Sequence, residues 1–367
     1  MQILSGPDAV IVGSMSGTSL DGIDAAALQL TGDWPNLECK LIGTASRPLG
    51  SAADTLQRLI EGAPLTAQDI AKANRKLSES TASAMLSALN GHRPTLAAVH
   101  GQTIMHSPPD SWQLIDAQRI ASILNCPVAS HLRGGDLACG GEGAPVTPLA
   151  DWVLFQSQKP RAIINLGGFC NITWLPGNGK PDAIQGADIC PCNHLLNAAA
   201  RHLIGQPFDN QGALASSGEP DPTLVKSLVQ HCMQIMDTPR SLGSGDEGLA
   251  WLQRILKTDV TAPTLMASIT TALGQIIGEA AHRHGPTECV AAGGSSRNTA
   301  LMRAIEDAAG TSVRTTADFG IPIESREAAC MALLAACDAR DLPITLSHIT
   351  GRRPDHVTSM MWCRPYA

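Results

Sequence analysis

The sequence predicts an α/β protein in two domains, and three observations lead there. Short apolar strands alternate with helical stretches along the chain, the pattern of sheets flanked by helices. A length of 367 residues exceeds what one ordinary core supports. An apolar strand, a glycine turn and a second apolar strand also occur early in each half, which suggests an internal duplication although the halves share negligible sequence identity. The boundary falls near residue 158, giving domains 1–158 and 159–367.

The elements follow in order. Residues 9–14 are an apolar run that breaks in a Gly/Ser/Thr turn and resumes at 24–30. Residues 56–89 carry helical spacing with few breakers, enough for one or two helices. Residues 95–99 read as a buried strand ending at His100-Gly101-Gln102-Thr103, with a helix at 116–124 and a short strand at 127–129. A glycine-rich stretch at 134–143 leads through 144–148 to a helix at 151–156. The opening theme then repeats as the strand 161–166, Gly167-Gly168 and a strand at 171–175. Later, 263–283 is a long helix, 288–292 a strand, and 299–309 a helix that starts from Gly293-Gly294-Ser295-Ser296-Arg297-Asn298.

Hydrophobic residues at 44 % and charged residues at 16 % suit a well-buried globular enzyme. Aromatics are only 3 %, so Ala, Leu, Ile and Val fill the core, as is common where helices pack on a parallel sheet. A net charge of −7 argues against nucleic acid as a partner, because phosphate binding rests on clustered Lys and Arg. The opening residues lack a basic stretch followed by a long apolar one, and no apolar run approaches a membrane span. Neither a signal peptide nor membrane attachment is expected. Eleven cysteines at irregular spacing fit reduced thiols of a cytoplasmic protein better than a disulfide framework.

Ser14-Met15-Ser16-Gly17-Thr18-Ser19-Leu20-Asp21-Gly22-Ile23-Asp24 is the strongest local signal. Such a turn crowds backbone N–H groups and hydroxyls together, which suits phosphate oxygens, and Asp21 and Asp24 beside it suit Mg²⁺. No Gly-Lys-Ser/Thr follows, so it is not a Walker loop. A plain hairpin turn has the same composition, and alone that reading is favoured about two to one. The loop at Asn165-Leu166-Gly167-Gly168 follows the same logic. Gly293-Gly294 sits where a nucleotide can approach the backbone closely, though a tight strand–helix turn also needs glycine. Three such loops at strand ends, spread over both halves, are harder to dismiss than any one.

These residues carry a resemblance. The opening motif resembles that of the anhydro-N-acetylmuramic acid kinases, Met-Ser-Gly-Thr-Ser-x-Asp-Gly-x-Asp. The resemblance recurs at 100–103, at Arg133 and Asp136, at 138–145, at 165–168 with Asn171, at Gly293-Gly294 with Asn298, at 320–322, at Glu327-Ala328 and at Thr350-Gly351. These blocks keep the family order over almost the whole chain. The resemblance implies the actin-like ATPase fold, two ribonuclease-H-like domains around an interdomain cleft, acting in the cytoplasm as a homodimer on a small sugar with ATP and Mg²⁺. Gly17, Thr18, Ser19, Asp21, Gly22 and Asp24 would form the first phosphate loop, with Asp21 on the metal. Asn165, Gly167 and Gly168 would form the second, and Gly293, Gly294 and Asn298 would meet the adenosine. His100, Gln102, Arg133, Asn193 and Glu327 would line the sugar site, and Asp188 would be the general base. By side-chain chemistry, Arg133 suits a carboxylate, which a guanidinium binds bidentately; an ion pair with Asp136 or Glu327 is the equal alternative.

One block departs from the family. Where the family reads Asp-x-Gly-Pro-Gly-Asn, this chain has Asp188-Ile189-Cys190-Pro191-Cys192-Asn193, preceded by Ala187 in place of an aromatic and followed by Asn197 in place of an aspartate. Milder departures are His131-Leu132-Arg133 for Asp-Phe-Arg, Glu142 for a glutamine, and 239–243 for Lys-Ser-Thr-Gly. The two cysteines keep open a kinase of another anhydro-sugar, or an ATP-binding protein that has lost transfer. As a metal or redox pair they are poorly placed, and packed thiols suit them better.

Overall fold

The computed structural model describes residues 8–17, 20, 22–236, 248–355 and 358–365. The chain divides into two compact units, one of residues 1–154 with 320–367 and the other of 155–319. The first cut lies close to the expected 158. The second was not expected: residues after 319 belong to the first unit, because the helix that follows packs its alanines on the first unit's strands.

The first unit opens with the antiparallel strands β1 (Ala9–Ser16), β2 (Ile23–Thr31) and β3 (Glu38–Arg47). Helices α1 (Ala53–Ile60) and α2 (Ala67–Leu89) follow; Thr66 and Asp69 cap α2 by exchanging side-chain and backbone bonds. β4 (Leu96–Ser107) then returns parallel to β1 and folds back as β5 (Asp110–Leu114). After α3 (Ala117–Leu124), β6 (Val128–Ser130) lies parallel to β4, and α4 (Leu132–Ala138) and α5 (Pro148–Phe155) end this stretch.

The second unit repeats the plan. β7 (Arg161–Leu166), β8 (Phe169–Leu175) and β9 (Gln185–Pro191) are antiparallel. Helices α6 (Asn193–Ile204), α7 (Ala213–Ser216), α8 (Pro222–Met236), α9 (Leu249–Ile255) and α10 (Ala262–His282) intervene before β10 (Glu288–Ala292), parallel to β7. α11 (Thr299–Ala309) and the parallel strand β11 (Val313–Thr315) complete it. The chain then re-enters the first unit as α12 (Arg326–Asp338), α13 (Ser347–Thr350) and β12 (Met361–Cys363), which pairs with β6.

The sheet orders are β3-β2-β1-β4-β6-β12 and β9-β8-β7-β10-β11. With β12 and the β5 fold-back of β4 set aside, both read third, second, first, fourth, fifth, with three antiparallel strands and two parallel ones. That is the ribonuclease-H-like topology twice in one chain, the plan of the actin-like ATPases. The duplication suggested by the two glycine-turn hairpins is therefore real at the level of strand order.

Small residues permit the layers to close. A side-chain carbon at Gly13 of β1 would stand 2.0 Å from the Ala328 carbonyl oxygen, so glycine alone lets α12 lie against the strand. Among the described residues no helix is long and apolar enough to cross a membrane.

Candidate active site

In the first unit, the opening turn lies between β1 and β2. Thr18, Ser19 and Asp21, expected to bind phosphate and metal, lie outside the described residues. The base of the turn is held by Gln102 of β4. Its Oε1 accepts the Ser16 hydroxyl, and its Nε2 donates to the Gly17 carbonyl at 3.1 Å. Gln102 is 0 % exposed. Its side chain, expected among the sugar ligands, bonds to the base of the opening turn. Gly22 backs onto the Arg47 carbonyl of β3, and the Asp24 carboxylate accepts the Ser46 hydroxyl while remaining partly exposed.

His100, also expected at the sugar site, is likewise buried, at 1 % exposure. Its Nδ1 lies 3.0 Å from the Gly101 carbonyl and its Nε2 lies 3.2 Å from Arg133 Nε. A carbonyl accepts and a guanidinium donates, so Nδ1 carries the proton and Nε2 the lone pair. Burial first, and the Arg133 charge second, push the His100 pKa down to about 3 and that of His106 to about 4. Arg133 Nη1 donates to the Gly143 carbonyl at 2.7 Å. The Gly143 N–H donates in turn to buried Asp136 at 2.9 Å, whose other oxygen accepts the Thr350 hydroxyl at 2.7 Å and stands 3.8 Å from Arg352. Arg133 itself remains partly exposed.

Glu327 sits partly exposed in the first turn of α12. Its neighbour Arg326 is buried and forks onto the Asp151 carboxylate of α5, with Nε to Oδ1 at 2.8 Å and Nη2 to Oδ2, while Nη2 also reaches the Thr147 hydroxyl at 3.1 Å. Sequence reasoning missed this pair, although an arginine opening an otherwise apolar helix is a usable signal for a buried partner.

In the second unit, Asn165, Asn171 and Asp188 are successive cross-strand partners on β7, β8 and β9. Side chains of directly opposed residues share a sheet face. Ile164, Leu166, Cys170 and Ile172 occupy the other face and join the core cluster. The register shifts between Asn171↔Asp188 and Cys170↔Cys190, leaving Ile189 as the extra residue of a bulge. Strict alternation would put Asp188 and Cys190 on one face. With the bulge, Asp188 keeps the asparagine face while Ile189 and Cys190 both sink into the core. Cys192, ahead of α6, is buried in the same cluster. Burial pushes the thiol of Cys192 up to about 12 and those of Cys170 and Cys190 well above the ordinary range. All are free thiols, and the described residues contain no cluster of three or more His, Cys, Asp or Glu fit for a metal. The packed-thiol reading of Cys190 and Cys192 is the one the geometry carries.

The turn at Gly167-Gly168 docks on α6. The Gly167 carbonyl accepts the Asn193 N–H at 3.0 Å, and the Gly168 carbonyl accepts those of Cys192 at 2.9 Å and His194 at 3.2 Å. A trans peptide points its N–H opposite its carbonyl, so the N–H groups of Gly168 and Phe169 face away from the helix. That edge suits an anion. Asn193, expected as a sugar ligand, is partly exposed and bridges elements: its Nδ2 donates to the Leu166 carbonyl at 3.3 Å and its Oδ1 accepts the Ser295 hydroxyl. The loop after β10 closes on the same spot. Gly293 has φ +84° and a side chain there would stand 2.6 Å from the Leu166 carbonyl oxygen, whereas Gly294 is exposed. Asn298, expected at the adenosine, caps α11 by accepting the Leu301 N–H at 3.0 Å.

The family model for anhydro-N-acetylmuramic acid kinase matches residues 9–362. The chain belongs to this family. An anhydro-N-acetylmuramic acid kinase of Salinibacter ruber is 32 % identical, with 93 % of each chain covered. One of Synechococcus sp. strain WH7803 is 33 % identical over 93 % of this chain and 96 % of its own. Among solved structures, an activator of 2-hydroxyisocaproyl-CoA dehydratase from Clostridium difficile with bound ADPNP aligns at TM-score 0.45 and 14 % identity, covering 90 % of this chain and 96 % of its own. A ROK family glucokinase from Streptomyces griseus, in complex with glucose and AMPPNP, aligns at TM-score 0.43 and 13 % identity over 89 % and 99 %. Cys190 of β9 and Cys192 ahead of α6 lie in the second unit's core cluster, and Ala187 of β9 packs against it.

Proposed function

We propose that this chain is an ATP-dependent kinase that opens the 1,6-anhydro ring of anhydro-N-acetylmuramic acid with water and phosphorylates the 6-oxygen, giving N-acetylmuramic acid 6-phosphate for cell-wall recycling. The supporting observation beyond family membership is the bulge in β9, which keeps Asp188 on the asparagine face while the altered residues go to the core. Cysteines on the Asp188 face would favour a changed sugar or a lost activity; their burial weighs for the family reaction.

On this reading Asp188 takes the proton from the water that attacks C1, the C1–O6 bond breaks, and O6 accepts the γ-phosphoryl group as ADP leaves. The outward N–H groups of Gly168 and Phe169 and the turn after Gly17 hold phosphate oxygens. Magnesium, when bound with ATP, neutralises phosphate charge; Asp21, with Asp24 through water, supplies the hard oxygen donors it prefers. Gly294 offers open backbone to the adenosine, Arg133 the sugar carboxylate partner, and Glu327 a hydroxyl acceptor. The enzyme would work in the cytoplasm as a homodimer.

The test is ADP release from ATP and Mg²⁺ with and without the anhydro-sugar. Sugar-dependent turnover should fall by roughly 10²–10⁴-fold in Asp188→Asn, with ATP affinity retained. Sugar-independent ATP hydrolysis, or a mutant as fast as wild type, would overturn the proposal.

A further inference from the structure

His100, expected at the sugar site, is buried at 1 % exposure and turned toward protein partners. Both ring nitrogens are engaged, one by the Gly101 carbonyl and one by Arg133. A neutral imidazole accepting from a guanidinium is informative, because a protonated ring would repel it. Arg133 is therefore gripped at two points of its fork: Nε by His100 and Nη1 by the Gly143 carbonyl. Each grip is itself anchored. The imidazole is turned by its bond to Gly101, and Gly143 is tied through its N–H to Asp136, which Thr350 and Arg352 hold from the returning segment.

A free arginine side chain has rotamer freedom that a ligand must overcome to order it. A guanidinium whose Nε and Nη1 are fixed by buried partners has already lost that freedom before substrate arrives. We infer that His100 is a positioning residue: it orients Arg133 so that the guanidinium meets the carboxylate of the sugar in one pose. The inference rests on the reading above that Arg133 receives that carboxylate.

The bond His100 supplies separates the variants. In His100→Gln, Oε1 reaches the place of Nε2 and accepts from Arg133; in His100→Asn, the shorter amide serves Gly101 and leaves Arg133 Nε without that partner. Steady-state kinetics on the full chain should show KM for the anhydro-sugar raised about tenfold in His100→Asn, with kcat and the KM for ATP little changed, and near-normal values in His100→Gln. Combined with Arg133→Ala, His100→Asn should add nothing further, since it acts only through the arginine. Additive losses, or a fall in kcat with KM unchanged, would overturn the inference. If Arg133→Ala leaves the sugar KM unchanged, the reading beneath it fails instead. Nitrogen-15 shifts of the His100 ring in the unaltered chain give a check independent of mutant folding. A neutral ring protonated on Nδ1 is expected at pH 6, and a cationic ring or one protonated on Nε2 would overturn the inference.

Discussion

The two units share a strand order and differ in what holds their interiors together. The second unit is continuous in sequence, and its core is alkyl groups, thiols and two indole rings, with Cys170, Cys190, Cys192, Cys232, Trp174 and Trp251 among them. The first unit is interrupted for residues 155–319 and must recapture its own chain. It does so through buried polar clasps. Arg326 is paired with Asp151, and Thr350 and Arg352 with Asp136. Apolar contacts are tolerant of register, whereas a forked ion pair fixes one alignment, at the cost of desolvating charge. A segment that rejoins a sheet after a long excursion gains from such specificity; a segment folded among its sequence neighbours does not need it.

The largest expected effect tests the clasps. Arg326→Met should cost about 3–5 kcal/mol in urea unfolding, because the buried Asp151 carboxylate loses the cation that balances its charge. Adding Asp151→Leu should recover most of that loss if the pair serves alignment more than stability. A double variant no better than the single would show that the pair itself stabilises the unit.

Acid should then separate the units. The folded pKa of His100, about 3, lies below the ordinary 6.5, so its contribution is complete above pH 6.5 and is lost as pH falls toward 3. About 2 kcal/mol should go between pH 7 and pH 5. Alkali should not separate them, because burial raises thiols to about 12 in both units, Cys126 and Cys337 in the first and Cys192 and Cys232 in the second. That contribution, complete below pH 9, declines in both as pH rises toward 12. Hydrogen exchange read by mass spectrometry should show the first unit loosening ahead of the second at pH 5. Equal loosening of both units at pH 5 would break the comparison.

The smallest effect concerns the thiols. Cys190→Ala removes one heavy atom from a packed core and should lower stability by about 1 kcal/mol, with sugar KM unaltered. A changed KM would mean that Cys190 reaches the Asp188 face after all.

Much of this was legible in the sequence because it is local. The helix at 299–309 and the strand at 288–292 follow from periodicity and flanking glycines, and both appear at those bounds. The paired glycine-turn hairpins announced the repeated strand order. What escaped was non-local. No spacing rule ties Asp151 to Arg326 across the whole second unit, and no pattern returns residues 320–367 to the first sheet. At the site, polar residue type was read as ligand chemistry, and residue type alone does not show which protein partner a side chain takes. His100, Gln102, Asn193 and Asn298 looked like ligands, and each is used on protein partners. The bulge at Ile189 was equally hidden, since one unpaired residue in a strand leaves no compositional trace.

The interruption of the first unit also sets an order of events during synthesis. Residues 155–319 have all their sheet partners once they emerge from the ribosome, so they can fold while the chain is still being made. The opening residues cannot: β1 waits for α12, and Asp136 waits for Thr350, more than two hundred residues later. The part of the protein that is translated first should therefore be finished last, exposed meanwhile to chaperones and proteases. Stalled chains ending near residue 350 should already protect 155–319 from protease and leave 8–154 open; early protection of 8–154 would show that the clasps close on a unit already formed.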